Sequence, residues 1–404
     1  MSVFIGVILV AFTALAWRDL KLALTMIIAL SPAYLVRFEL GIPSTVLEGM
    51  IVIAFASWII TSLRHGQGRA LPLRAIFASY GPPIFFLLAV ATFATLWAPS
   101  LTTALGIWKA YFIEPVFVLI MLRTTFVARE DWTRALTGLA LTTMAIAAFA
   151  IFQRLTGLGL PIPWDVDRRA TSIFEYPNAV GLFIAPIVSA LCVMRPRVAL
   201  IAVPLGLAAI VLSETEAALV AIPAALWVAF LLSNQSLTKK ITLTLLCLGV
   251  GLSLLVGVST IRQKILLDDY SGGVRRSQWT ETVEMLKDRP LQGAGLAGYP
   301  TVFVPYHDPK LYEIFQYPHN VILNFWVEMG LFGVIAFLWL ALVTGKLAWQ
   351  RRTDPLVLTA FAALLTMTIH GLVDVPFFKN DLAVLTAFFM AMMLTYNHPE
   401  KIAN

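Results

Sequence analysis

Apolar residues in this chain come in long runs, and polar residues come between the runs. The runs fall at roughly 3–16, 20–37, 45–63, 81–97, 104–122, 132–154, 178–194, 198–212, 216–232, 240–258, 320–345, 356–373 and 380–396. Each approaches the roughly 20 residues that carry a helix across a bilayer. The pattern predicts an all-α, polytopic integral membrane protein of about 12–13 transmembrane helices. The first two runs are short and Pro32 interrupts the second, which makes twelve as tenable as thirteen.

The polar breaks alternate in charge. Trp17-Arg18-Asp19-Leu20-Lys21 is basic, as are Arg64 to Arg74, Arg123 to Arg134, Arg195-Pro196-Arg197, Lys239-Lys240 and Lys346 to Arg352. Between them lie Phe38 to Ser44, Trp97 to Thr103 and Ser213 to Thr215, which are nearly free of Lys and Arg. Short basic loops mark the cytoplasmic side, so only one phase of alternation fits. The two longer loops, near 155–177 and 259–319, then face outside. The chain divides into a transmembrane scaffold at 1–258, an external loop with short amphipathic helices at 259–319, and C-terminal transmembrane helices at 320–404.

Composition agrees. Of 404 residues, 59% are hydrophobic and 13% charged, with mean hydropathy +0.83; a soluble domain carries about twice that charge. The net charge of +6 follows from the one-sided loops and does not imply nucleic acid. Cys192 and Cys247 lie in apolar runs, as packed thiols do. The N-terminus lacks a basic region and a clear cleavage site, and is expected to be a first span and not a signal peptide. No heptads, low-complexity tract or internal repeat is evident, which weakens a transporter reading.

Candidate chemistry gathers in the outer loops and the helix after them. Pro318 biases Tyr317 away from helix, so a helix is expected to begin near His319, with His319 or Asn320 as its cap. A histidine there titrates near neutrality and is a candidate general base for an acceptor hydroxyl. Asn320, Asn324 and Glu328 share one face of that helix, and a carboxylate inside a span is costly enough to suggest a buried network or a supporting role in a site. Arg275 and Arg276 precede Trp279 and an amphipathic helix expected over Ser277 to Lys287. Arg168 and Arg169 stand in the other long loop, ahead of Asn178. Guanidinium forks keep their charge and match phosphate oxygens, so two external pairs would suit a diphosphate. The bland alternative for Arg275 and Arg276 is an interfacial anchor, with Trp279 at headgroup level.

Asp165-Val166-Asp167 matches a short DxD pattern used for divalent metals, but plain loop acids are the simpler reading. Gly293 and Gly295 lack the lysine of a phosphate loop and predict a turn between two external helices. Lys109 and Glu114 suggest an ion pair within the fifth span. His370 and Asp374 are spaced to reach the same face as His319.

Three motifs together resemble the O-antigen ligase and polymerase superfamily of bacterial envelope enzymes, over about Arg169 to Gly345. The first is RATSIFEYPN, Arg169 to Asn178. The second is Arg275-Arg276-Ser277-Gln278-Trp279 followed by Pro290-Leu291-Gln292-Gly293-Ala294-Gly295. The third is His319-Asn320 followed by Glu328, Gly330 and Gly333. The resemblance implies a glycan donor on undecaprenyl diphosphate and an acceptor hydroxyl on a lipid A core sugar or a second lipid-linked glycan. It also implies metal-independent, inverting transfer at the outer face of the inner membrane among membrane lipids, without a cofactor. Arginines would hold the diphosphate and His319 would be the base, with Arg275 and Glu328 beside it. Leu212 to Ala218 reads LSETEAA, so Glu216 stands where the family often has an arginine. Arg168, Arg169 or Arg276 are substitutes for that contact; Glu214 and Glu216 are candidates for sugar hydroxyls or for pairing with Arg275. Rival readings are a metal-dependent membrane glycosyltransferase centred on Asp165 and Asp167, and a transporter of lipid-linked glycans.

Overall fold

The computed structural model describes residues 2–39, 43–65, 78–257, 262–264, 266–310 and 312–395. Most of the basic loop expected at Arg64 to Arg74, and the start of the polar segment at 259–261, lie outside the described residues. Among those described, sixteen α-helices and one short antiparallel ribbon, Arg37–Glu39 with Pro43–Thr45, make up the regular structure. The first ten helices are α1 Ser2–Arg18, α2 Leu20–Ala29, α3 Val46–His65, α4 Gly81–Leu96, α5 Leu101–Trp108, α6 Glu114–Thr125, α7 Arg129–Thr156, α8 Asn178–Met194, α9 Ala199–Leu212 and α10 Glu216–Leu232. They are followed by α11 Leu237–Gly257, α12 Tyr270–Asp288, α13 Tyr299–Val302, α14 Val321–Gln350, α15 Pro355–His370 and α16 Asn380–Met393.

Four rods are long and apolar enough to cross a bilayer: Val46–Leu63, Leu101–Thr125, α7 and α14. Eight shorter apolar helices of 10–17 residues accompany them. Large apolar side chains such as Phe85, Leu200 and Leu342 are exposed on these rods, as lipid-facing residues are. The architecture is the all-α, multi-pass one that the apolar runs predict. Cys247 departs from expectation, because it is exposed on α11 and not packed.

Local chemistry explains the breaks. Pro32 heads a 3-10 turn at Ser31–Leu35, so the second run does not continue as one α-helix. The fifth rod changes to a π turn at Lys109–Ile113 between α5 and α6, just ahead of Pro115, which has no N–H to donate. Lys109 does not pair chiefly with Glu114, at 4.0 Å; Glu48 is nearer, at 3.0 Å. Helix α12 begins at Tyr270, earlier than expected, because the Asp269 side chain caps it by accepting from Gly272 N. Both arginines of that segment therefore lie on the helix and not ahead of it.

Helix α8 is the axis of the bundle. It is buried continuously from Ala179 to Leu191 and packs against α7, α9, α10 and α15. The polar segment folds as a lobe of α12, α13 and the turns around them. A small core of Met285, Leu286, Tyr299, Phe303 and Val327 seats the lobe on α14. Two glycine motifs form the seam. Ala294 N donates to Val327 O at 2.6 Å and Leu331 N to Pro290 O at 3.0 Å. Gly330 has φ +67° within α14, and a Cβ there would lie 1.8 Å from Leu291 O. A Cβ on Gly293, at φ +63°, would lie 2.3 Å from Val327 O. Only glycine allows backbones so close at those angles. The Gly293–Gly295 turn thus joins α12 to α13, and it also docks the lobe on the membrane helix.

Candidate active site

The site is built where the loop after α7, the turn between α9 and α10, the lobe, and the turn after α15 meet at one end of the bundle. His319 lies just ahead of α14. Its φ is +46°, a left-handed conformation that strains a residue with a side chain by about 1–3 kcal/mol. Neighbours hold it there. Asn320 is the cap, accepting from Ile322 N and Leu323 N at 3.0 Å each and donating to Leu372 O at 2.9 Å. Trp279 Nε1 donates to Pro318 O at 2.8 Å and Gln278 Nε2 to Tyr317 O at 3.0 Å. The Trp279 indole is therefore committed to the strand carrying His319.

Gln278 is the residue that sequence reasoning missed. Its amide nitrogen faces the Tyr317 carbonyl, so its oxygen Oε1 faces His319 Nδ1, 3.2 Å away. Nδ1 must then carry the proton, which leaves the Nε2 lone pair available. No partner meets Nε2 among the described residues. Burial lowers the pKa of His319 below its ordinary 6.5; Asp374 raises it in part and Arg275 lowers it further. The imidazole is thus neutral near pH 7, as a base must be. Gln278 sits three residues after Arg275 on α12, on the same helical face, which is the signal by which the sequence could have singled it out.

Arg275 is half-buried, and its Nε is buried with no hydrogen-bond acceptor among the described residues. Buried donors are nearly always paired, so an unpaired guanidinium beside the imidazole is a feature that calls for an anion. Its charge is felt at both His319 and Arg169. Arg169 is more firmly held: Nε donates to Ser213 O at 2.7 Å, Nη2 to Asn178 Oδ1 at 2.8 Å and to Glu214 O at 3.3 Å. Its guanidinium lies 5.3 Å from the Trp164 ring centroid, and the Glu214 carboxylate is 4.0 Å away. Asn178 Nδ2 continues the chain to Asp374 Oδ2 at 3.3 Å. Asp374 is buried, and it and Arg275 also reach His370, one turn back on α15. His319, Arg275, Arg169, Asn178 and Asp374 therefore belong to one linked constellation.

Other candidates lie elsewhere. Arg276, about 100° round α12 from Arg275, is exposed and pairs with Asp268 at 3.3 Å. Arg168 is exposed and passes near Gly157 at the end of α7. Glu216 pairs with Lys264. Asp165 and Asp167 are exposed on the loop, and among the described residues no group of three or more His, Cys, Asp or Glu side chains gathers as metal ligands. Glu328 is buried and accepts from Ala297 N at 2.7 Å, which ties it to the turn that follows Gly295. Asn320 and Glu328 each bond a different loop, and Asn324 Oδ1 has no partner among the described residues, so the three residues of this helix face make no hydrogen bond to one another there. His307 is tied to Glu281 at 3.2 Å and to Tyr312 O at 2.8 Å, pinning the far side of the lobe.

An apolar, partly open cavity of about 210 Å³ runs beneath this end between α4, the π turn at Lys109–Ile113, α6, α14, α15 and α16. Tyr111, Phe325 and Phe378 line its upper part, and Leu340 and Thr344 lie deeper. The first three belong to the same hydrophobic cluster as Tyr317, so the cavity adjoins the base of the site.

No curated protein matches the chain. Residues 201–338 match the family model described as O-antigen ligase. That stretch spans α9 to the first half of α14 and contains Arg275, Gln278, His319 and Glu328; Arg169 and Asn178 precede it, and Asp374 follows. The imidazole–guanidinium site thus lies largely within the matched stretch, and over about a third of its length the chain is similar to the O-antigen ligase family, which supports a membrane glycan ligase or polymerase type of role.

Proposed function

We propose that the protein transfers a glycan from an undecaprenyl-diphosphate carrier to a hydroxyl on a lipid A core sugar or on another glycan, at the outer face of the bacterial inner membrane. The observation that carries this is the pairing of His319, neutral and with Nε2 available, with the unpartnered guanidinium of Arg275. The acceptor oxygen attacks the anomeric carbon as its proton passes to Nε2. The bond from that carbon to the phosphate oxygen breaks, and configuration inverts. Undecaprenyl diphosphate departs with the bonding electrons, its charge met by Arg275 and Arg169. Fixed guanidinium groups act on charge where it develops and need no reorganisation as it does so. Asp374 favours the transient imidazolium. Glu328 and Asn320 position the lobe and the His319 strand. The apolar cavity gives the polyprenyl chain a place beside its headgroup.

Transfer by purified protein in liposomes tests this. His319→Ala should lower turnover by about 10²–10⁴-fold, the usual worth of a general base, with donor affinity retained. Arg275→Ala should weaken donor binding by about 10–100-fold, as loss of charge-assisted bonds does. Wild-type turnover in the first variant removes His319 from the mechanism. Loss of activity in EDTA would favour a metal-dependent transferase, and donor flux across the vesicle without a covalent product would favour a transporter.

A further inference from the structure

A second group of polar side chains lies beside His319, away from the arginines. Tyr317 OH and Tyr176 OH share a hydrogen bond of 3.0 Å, and the Tyr317 ring lies 5.0 Å from the imidazole. The ammonium of Lys379, the residue capping α16, stands 4.0 Å from the Tyr176 ring centroid. Two aromatic rings therefore separate Lys379 from the base. Tyr111 lies in electrostatic reach of Tyr317, and Tyr34 in reach of Tyr111, Asp381 and Glu175.

These rings are not ordinary core tyrosines. Tyr80 and Tyr299 are fully buried, with their hydroxyls on Thr344 and Thr282. Tyr34, Tyr111, Tyr176 and Tyr317 are each only half-buried. The hydroxyls of Tyr34 and Tyr111 have no hydrogen-bond partner among the described residues. Lys379 is likewise half-buried, and no carboxylate there comes within ion-pair distance of its ammonium. Burial pushes its pKa down to about 8, against the pull of Asp381 and Glu175, so near pH 7 the amine is mostly charged. A phenol face supports such a cation but does not neutralise it. Partly exposed phenol rings suit the C–H face of a sugar ring, and their hydroxyls suit its hydroxyls.

We propose that the cluster of these four tyrosines with Lys379 at its head is a glycan subsite, and that Lys379 selects a sugar bearing a carboxylate or a phosphate. The proposal deepens the transferase reading and rests on it, since the cluster would seat the acceptor glycan next to the His319 base. Arg169 and Arg275 are left for the diphosphate.

Binding to the full-length protein in detergent is read by saturation-transfer NMR, with no donor present. The probes are trigalacturonic acid, glucose 6-phosphate and neutral maltotriose. At least one anionic sugar should bind five times more tightly than maltotriose; whichever it is separates the carboxylate source from the phosphate one. Lys379→Met and Lys379→Gln should each abolish the preference, and Lys379→Arg should keep it. Two outcomes overturn the subsite: no anionic preference in the wild type, or a preference that survives in either neutral variant that elutes as a folded species. Because nothing is transferred in this assay, a Lys379-dependent preference in a protein without transferase activity would sink the reaction and leave the subsite standing.

Discussion

His319 is held neutral by its surroundings, and this has a measurable sign. Burial and the Arg275 charge lower its pKa, while Asp374 raises it. A base with a lowered pKa is protonated only at lower pH, so the acid limb of kcat/KM should have its midpoint below 6.5. Asp374→Asn removes the one influence that raises the pKa, and the midpoint should move to still lower pH. Arg275→Gln removes an influence that lowers it, and the midpoint should move up. A profile unmoved by both changes would show that the limb belongs to another group. The sequence exposed His319 and Arg275 because a histidine after proline at a helix start, and an arginine in an outer loop, are unusual on their own. It did not expose the role of Gln278, because a glutamine is ordinary on an amphipathic helix until a neighbouring carbonyl orients its amide.

At the scale of elements, the seam between the lobe and α14 decides where the site residues sit. Gly330→Ala would drive a Cβ to 1.8 Å from Leu291 O at a φ of +67°. The lobe must then shift or detach, and thermal unfolding in detergent and limited proteolysis within residues 289–298 should both register it. Glu328→Ala leaves the Ala297 N–H without its acceptor and should cost about 1–3 kcal/mol of stability. Glu328→Gln keeps an acceptor and should cost less. If Glu328 only positions the lobe, both variants keep the wild-type pH profile of the residual activity. The glycine spacing was legible in the sequence as a turn. That the turn docks on the kink in α14 was not, since a contact between segments some 35 residues apart has no local signature.

At the scale of the whole molecule, the cavity beneath the site joins helices from both halves of the chain. Ala341→Trp would fill part of it. The KM for a long-chain polyprenyl donor should rise by about tenfold, which corresponds to roughly two methylene groups left unburied. A short-chain donor analogue should be affected less. Equal effects on both donors would separate the cavity from the lipid.

The sequence by itself determined the class of the molecule and roughly where its apolar rods lie. A helix in lipid needs an unbroken apolar run, and polar loops must interrupt it, so both features are local. It also determined which residue types were available for phosphate and for proton transfer. Only the tertiary structure decided which of them meet. Arg169 and Arg275 lie more than a hundred residues apart, yet the charge of Arg275 is felt both at Arg169 and at the His319 imidazole, while Arg168 and Arg276, their immediate neighbours, point elsewhere. One residue along a helix or turn redirects a side chain by a large angle, and no pattern along the chain records that direction until the backbone is folded.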